Sequence, residues 1–200
     1  GGQMLISGDA NAMVSPITVA AGATLLMDAS DAATMASTFE INPGGTLQIG
    51  RATSASNVFP DAPTSVLNNG VIRIFDDEGI ANVAGAGSII IEHETTTLGS
   101  GNTFTGQVVV NNGSTVRGAA SLPGGVVVNS GGFLAPGEDV GTLAIGEFML
   151  DVGATLGLEI GGVAQGTFDQ LLVSNGAALA GLLDVSLVGG FEPQVGQSFD

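Results

Sequence analysis

One phrase returns along this chain eight times. An apolar, alternating stretch leads into one to three small or amide residues, then a glycine, then a second apolar stretch. The copies are ITVAAGATL, FEINPGGTL, SVLNNGVIRI, NVAGAGSII, VVVNNGSTV, VVVNSGGFL, FMLDVGATL and LLVSNGAAL. Their glycines are Gly22, Gly44, Gly70, Gly87, Gly113, Gly131, Gly153 and Gly176, separated by 17 to 26 residues and on average by about 22. A repeat of that size, built of strand, tight turn and strand, is the sequence signature of a solenoid.

The alternation before each glycine has period two, so Ile17 and Val19 share one face and Thr18 takes the other. The same holds for Phe39/Ile41, Val108/Val110, Val126/Val128, Phe148/Leu150 and Leu171/Val173. Three positions beyond the glycine comes another apolar residue: Leu25, Leu47, Ile90, Val116, Leu134, Leu156 or Leu179. Only the third copy breaks the rule, with Arg73 between Ile72 and Ile74. A strand that is apolar on one face must bury that face. A coil that closes at each repeat does so by stacking like residues in columns, about 4.8 Å apart from rung to rung. Eight such rungs make a rod of roughly 40 Å.

The glycines are expected at corners, where φ is positive. The polar residues before them are Asn42, Asn68, Asn111, Asn129, Asp151 and Ser174. These types tolerate such corners, and stacked Asn side chains can bond from rung to rung. Residues 50–64 and 92–106 interrupt the pattern and are expected as external loops, with a short turn at 136–142. The last stretch, 165–200, is expected to form terminal coils or a small sheet, with Gly196–Asp200 starting a further strand. The whole of 1–200 reads as a single β-helix segment of a longer protein.

Composition narrows the function classes. The chain carries 19 acidic residues against Arg51, Arg73 and Arg117, a net charge of −16. Nucleic acid and anionic membrane surfaces both require clustered Lys and Arg, so neither is an expected partner. There is no Cys, Trp or Tyr, while Gly numbers 33. Thiol chemistry is thereby excluded. The aromatic platforms that sugar-cleaving sites favour are reduced to Phe. No run approaches the length of a membrane-spanning helix, and no basic segment followed by an apolar one opens the chain as an export signal would.

The final third carries a resemblance. It contains Leu134-Ala135-Pro136-Gly137, Glu159-Ile160-Gly161-Gly162, Phe168-Asp169-Gln170-Leu171 and Gly190-Phe191-Glu192-Pro193. In this order the motifs resemble the passenger-domain repeats of bacterial autotransporters and related secreted β-helical surface proteins. The rest of the chain resembles them through the looser coil repeat. The resemblance implies a right-handed parallel β-helix, export to the cell surface, and adhesion or scaffolding. It carries over no catalytic residues, because the family's repeats are structural, and its membrane barrel is not in this chain.

Few residues suggest chemistry. Glu92-His93-Glu94 has metal-ligand types, yet a strand would point His93 away from both acids, and one His alone does not make the usual zinc site. Asp76, Asp77 and Glu78 precede Gly79 and offer hard oxygens at a turn, which makes them the candidate calcium site. The spacings of the EF-hand and of the calcium β-roll are both missing. Acidic pairs such as Asp28/Asp31 and Glu138/Asp139 are abundant, but there is no lysine to accept a proton and no nucleophile elbow. The expected protein is an all-β, right-handed parallel β-helix of about eight coils. It is not an enzyme and needs no cofactor beyond candidate calcium. It is expected outside the cell or on a bacterial surface, acting through self-association, neighbouring surface proteins or glycans, and stacking end to end into filaments. The alternative is a polysaccharide-binding or polysaccharide-cleaving β-helix.

Overall fold

The computed structural model describes residues 2–7, 16–28, 38–50, 65–75 and 78–199. These contain strands and turns and no helix. The first strands are β1 (Gln3–Ser7), β2 (Ile17–Val19), β3 (Thr24–Asp28), β4 (Phe39–Ile41), β5 (Thr46–Ile49), β6 (Val66–Asn68) and β7 (Val71–Ile74). Then come β8 (Glu78–Ile80), β9 (Val83–Ala84), β10 (Ser88–Ile91), β11 (Glu94–Leu98), β12 (Gln107–Val110) and β13 (Ser114–Gly118). The last are β14 (Ser121–Val128), β15 (Phe133–Pro136), β16 (Thr142–Leu150), β17 (Thr155–Ile160), β18 (Gln170–Leu179) and β19 (Leu182–Leu187).

Among the described residues they form three parallel sheets. Sheet A runs β1-β3-β5-β7-β10-β12-β14-β16-β18 along the whole rod. Sheet B is β2-β4-β6-β9, and sheet C is β8-β11-β13-β15-β17-β19. Each strand pairs with its counterpart in the next rung, so the chain winds through the sheets instead of forming hairpins. This is the stacked arrangement of a β-solenoid.

Register builds the core. One inward column runs Met4, Leu25, Leu47, Ile72, Ile89, Val108, Val126, Phe148 and Ala177. Sheet C contributes a second, Val116, Leu134, Leu156 and Leu183. Between the two ends these side chains are buried. Burial of a Val, Leu or Ile side chain is worth about 1.5–3 kcal/mol.

The structure separates glycines that the repeat groups together. Gly22 and Gly44 turn the corner from sheet B into sheet A with positive φ. Gly113, Gly131 and Gly153 do the same from sheet A into sheet C. So the phrase moves to a different corner of the coil halfway along the chain. Gly70 and Gly87 have another task. They belong to a column Gly45-Gly70-Gly87-Gly106-Gly124-Gly146, in which a Cβ on any member after the first would collide with the carbonyl oxygen of the glycine below. Gly70 therefore aligns with Gly45, not Gly44. That one-residue offset is why Arg73 falls where the third copy should be apolar, while Ile72 and Ile74 point inward. Ile90 likewise faces outward, between buried Ile89 and Ile91. Gly176 is no corner at all: it lies inside β18, and the last turn into sheet C is made at Ala180-Gly181.

Two further expectations are corrected. Residues 92–106 are not an external loop. They contain β11 of sheet C, and Thr96, Leu98, Asn102 and Phe104 are buried in the coil. The sequence hides this because the stretch ETTTLGSGNTFTG is polar, yet alternate residues still point inward. The expected final strand at Gly196–Asp200 is also absent among the described residues. Instead Phe199 folds back edge-on to Phe168 and Phe191, with ring centroids 5.6 and 6.1 Å apart. The external loop expected at 50–64 lies outside the described residues except for Gly50. The turn at 136–142 follows β15, and 165–200 supplies β18 and β19, which complete the last rung.

Candidate functional site

Polar side chains gather at three places, and each is best understood from the rung it sits on. The first is the corner after sheet A. Glu92, Asn111, Asn129 and Asp151 occupy equivalent positions there, each donating its backbone N–H to the rung below. Arg73 donates from Nε to Glu92 Oε1 at 2.9 Å and again from Nη2 to the same oxygen. Asn111 Nδ2 donates to Glu92 Oε2 at 2.9 Å, and Asn129 Nδ2 donates to Asn111 Oδ1 at 2.7 Å. Arg73 also lies over the Phe75 ring, 5.5 Å from its centroid. The result is a polar ladder across four rungs with its hydrogen bonds directed along the rod. The rung-to-rung bonding expected of Asn side chains is seen between Asn129 and Asn111, headed by an ion pair that the sequence did not signal.

This placement accounts for Glu92-His93-Glu94. Glu92 has both oxygens engaged in the ladder. His93 Nδ1 lies 3.0 Å from Glu94 Oε1 on the surface, and Glu94 adopts φ 67°, the left-handed corner conformation that glycine holds in the rungs above. The three residues make a coil corner and do not converge on one point. Among the described residues no group of three His, Asp or Glu side chains is placed to hold a metal ion. Of the calcium candidates, Asp76 and Asp77 lie outside the described residues. Glu78 is described by its backbone, which opens β8 and pairs with Thr96.

The second place is the interior. Asn68 is fully buried, donates to Ser88 O at 3.0 Å and accepts from Gly70 N at 3.1 Å. Asn102 accepts from Val83 N and donates to Ile80 O and Gly99 O. Both fasten turns to the neighbouring rung, where buried polar groups need partners. The Thr96 hydroxyl is buried with no hydrogen-bond partner among the described residues.

The third place is a cleft of about 180 Å³ on the outer side of sheet C. There β15 and β17 keep register only at Phe133–Thr155 and Leu134–Leu156. Arg117, Glu138, Asp139, Glu159, Asp169 and Asp184 line it. Arg117 pairs with Ala135 and Gly157 with Asp184, the two small residues leave room, and the Phe133 ring lies across Gly157. Arg117 Nε is buried without a partner among the described residues. Asp169 is buried and accepts from Gly141 N at 2.7 Å and Glu159 N at 2.8 Å, one bond to each carboxylate oxygen. Burial pushes its pKa above the ordinary carboxylate value, against the opposing pull of the Glu159 and Gly141 amides. With both oxygens committed, Asp169 acts as a staple between the 137–141 turn, β17 and the start of β18. Phe168 beside it is buried as well and anchors Phe199.

No protein-family model, curated protein or solved structure matches this chain.

Proposed function

We propose that this chain is a non-catalytic structural or adhesive β-helix module, carried outside the cell on a bacterial surface or in a fibre-forming protein. The proposed coil is right-handed with about eight turns of ~22 residues. Right-handed crossovers join parallel strands of one sheet in about 98% of cases, which supports that hand. The observation that carries the function is where the polar groups go. Glu92, Asn111, Asn129, Asn68, Asn102 and Asp169 direct their hydrogen bonds to other parts of the coil, which favours a rigid spacer over a reaction centre. Contact with neighbouring surface proteins would use the outer face of sheet A, where Ile90, Val109, Val127, Met149 and Ala178 form one apolar column. An apolar stripe on a soluble surface marks an interaction site.

The test is a screen of the purified chain against neutral and uronic-acid polysaccharides, following new reducing ends and unsaturated products. No turnover is expected, and turnover of any polymer overturns the reading. The unpartnered Arg117 Nε in the sheet C cleft favours a second reading, glycan binding without cleavage. Binding on a glycan array that disappears in Arg117→Ala would replace the first reading with the second.

A further inference from the structure

We infer that the cleft on the outer side of sheet C binds a single neutral sugar residue, uncharged and rich in hydroxyls, in preference to a uronic acid. This is the cleft behind the glycan-binding reading above, on which the inference rests. Its floor is made of small side chains. Arg117 on β13 pairs with Ala135 on β15, and Gly157 on β17 pairs with Asp184 on β19. Ala135 and Gly157 leave a gap between the strands that carry Arg117 and Asp184. The cleft holds about 180 Å³. Pockets that enclose drug-sized ligands run to roughly 300–1,000 Å³, so this one takes one ring and not a chain.

One wall is held in place before any ligand arrives. Gly118 N donates to Gly137 O at 3.1 Å, and Gly141 N donates to Asp169 Oδ1 at 2.7 Å, so both ends of the 137–141 turn are tied to the coil. Gly137 takes φ 95°, and a Cβ there would lie 2.0 Å from Asp139 O, so the turn requires glycine. From this turn Glu138 reaches back across β13, where Thr97 Oγ1 donates to its Oε1 at 3.4 Å. Ordering a loop on binding costs affinity, and a wall already fixed avoids that cost.

Donors and acceptors in the cleft are unequal. Arg117 is the one cation among the described residues that line it, and its Nε is buried without a partner there. A buried donor left unpaired is costly, and an acceptor on a ligand removes the cost. Against it stand the carboxylates of Glu138, Asp139, Glu159 and Asp184. The oxygens of Asp169 are already taken by the coil. A ligand here therefore needs one acceptor for Arg117 and several donors for the carboxylates. A hydroxyl both donates and accepts, whereas an ionised carboxylate only accepts. A ring of hydroxyls meets both demands without adding charge. A uronic acid also satisfies Arg117, but it sets a further negative charge among four carboxylates, which repel it. A cation suits the carboxylates and leaves Arg117 repelled and unpaired.

Saturation-transfer NMR of the purified chain tests this with methyl glucoside against methyl glucuronide and methyl galactoside against methyl galacturonide, pairs that differ only at C6. At least one methyl hexoside should bind, and its uronide should bind at least about tenfold more weakly. Arg117→Ala removes the donor, and Ala135→Leu fills the floor from the outer face without touching a polar group. Each should weaken hexoside binding by about tenfold or more. The two variants are independent, so one that fails to fold leaves the other as the test. A uronide that binds as well as its hexoside overturns the inference, as does hexoside binding that survives in folded Arg117→Ala or Ala135→Leu. So does binding of arrayed glycans with no methyl hexoside bound, which would put the ligand on a longer chain. Each of these results leaves the glycan-binding reading standing. Silence from every methyl glycoside and every arrayed glycan overturns the inference and that reading together, and leaves the rod reading intact.

Discussion

Gly106 and Gly176 sit in similar small, polar surroundings, yet their backbones meet opposite conditions. A Cβ on Gly106 would fall inside the carbonyl of Gly87 in the rung below, whereas a Cβ on Gly176 meets nothing within 4 Å, and its φ is not positive. Gly106→Ala should therefore lower stability by ~3 kcal/mol, the upper end of the range for overpacked core sites. Gly176→Ala should be neutral or raise stability by about 0.4–1 kcal/mol, because it restricts the unfolded chain without straining the folded one. Urea unfolding of both variants checks this, and equal losses would refute the glycine column. From the sequence Gly176 reads as a corner and Gly106 as the end of an external loop. Which glycine is pressed against a carbonyl depends on how the chain stacks across rungs, and a spacing of 17 residues between Gly70 and Gly87 carries that information only once the register is known. The inward alternation was legible at Phe39/Ile41 and Val108/Val110 because each is a local pattern with one buried face. Ile90 was misplaced because Ile89, Ile90 and Ile91 are chemically equivalent, and period two gives no phase to a continuous apolar run.

At the level of elements, Asp169 holds the junction where β17, the 137–141 turn and β18 meet. Its folded pKa is raised, chiefly by burial, with the amides of Glu159 and Gly141 opposing. A carboxyl whose pKa is higher in the folded state stabilises fully below its unfolded pKa. That contribution is lost as pH rises through the folded value. Asp169→Asn lacks the titration. The stability gap between the native chain and Asp169→Asn should thus be widest near pH 3 and narrow toward about pH 7. Unfolding of both proteins at each pH measures the gap directly. A gap that is constant or widens with pH would show that Asp169 is held as a favourable carboxylate, its amide bonds outweighing its burial. The motif Phe168-Asp169-Gln170-Leu171 singled out this residue through resemblance, but nothing local in it signalled burial, since its two donors come from 10 and 28 positions away. The stretch 92–106 shows the same limit. A Thr-rich strand has little apolar contrast, and only its pairing with β13 and β8 makes it part of the coil.

For the whole molecule, electrostatics and architecture pull against each other. Stacked rungs bring outward side chains of like sequence within about 5 Å of one another, well inside the screening length of about 10 Å at 0.1 M salt. With 19 acidic residues against three arginines, most charge pairs repel, and among the described residues the Arg73–Glu92 attraction opposes this at one corner. Screening should therefore stabilise the coil. Between about 10 mM and about 1 M sodium chloride the screening length falls from roughly 30 Å to roughly 3 Å. A gain of ~1 kcal/mol corresponds to a midpoint rise of about 2–4 °C for a domain of this size. A melting series in sodium chloride would show it, and a falling midpoint would mean that attractive pairs dominate. The same series in calcium chloride at matched ionic strength isolates Asp76, Asp77 and Glu78. General screening predicts comparable curves for the two salts, whereas a further rise with calcium that vanishes in Asp77→Asn assigns a bound ion to these carboxylates.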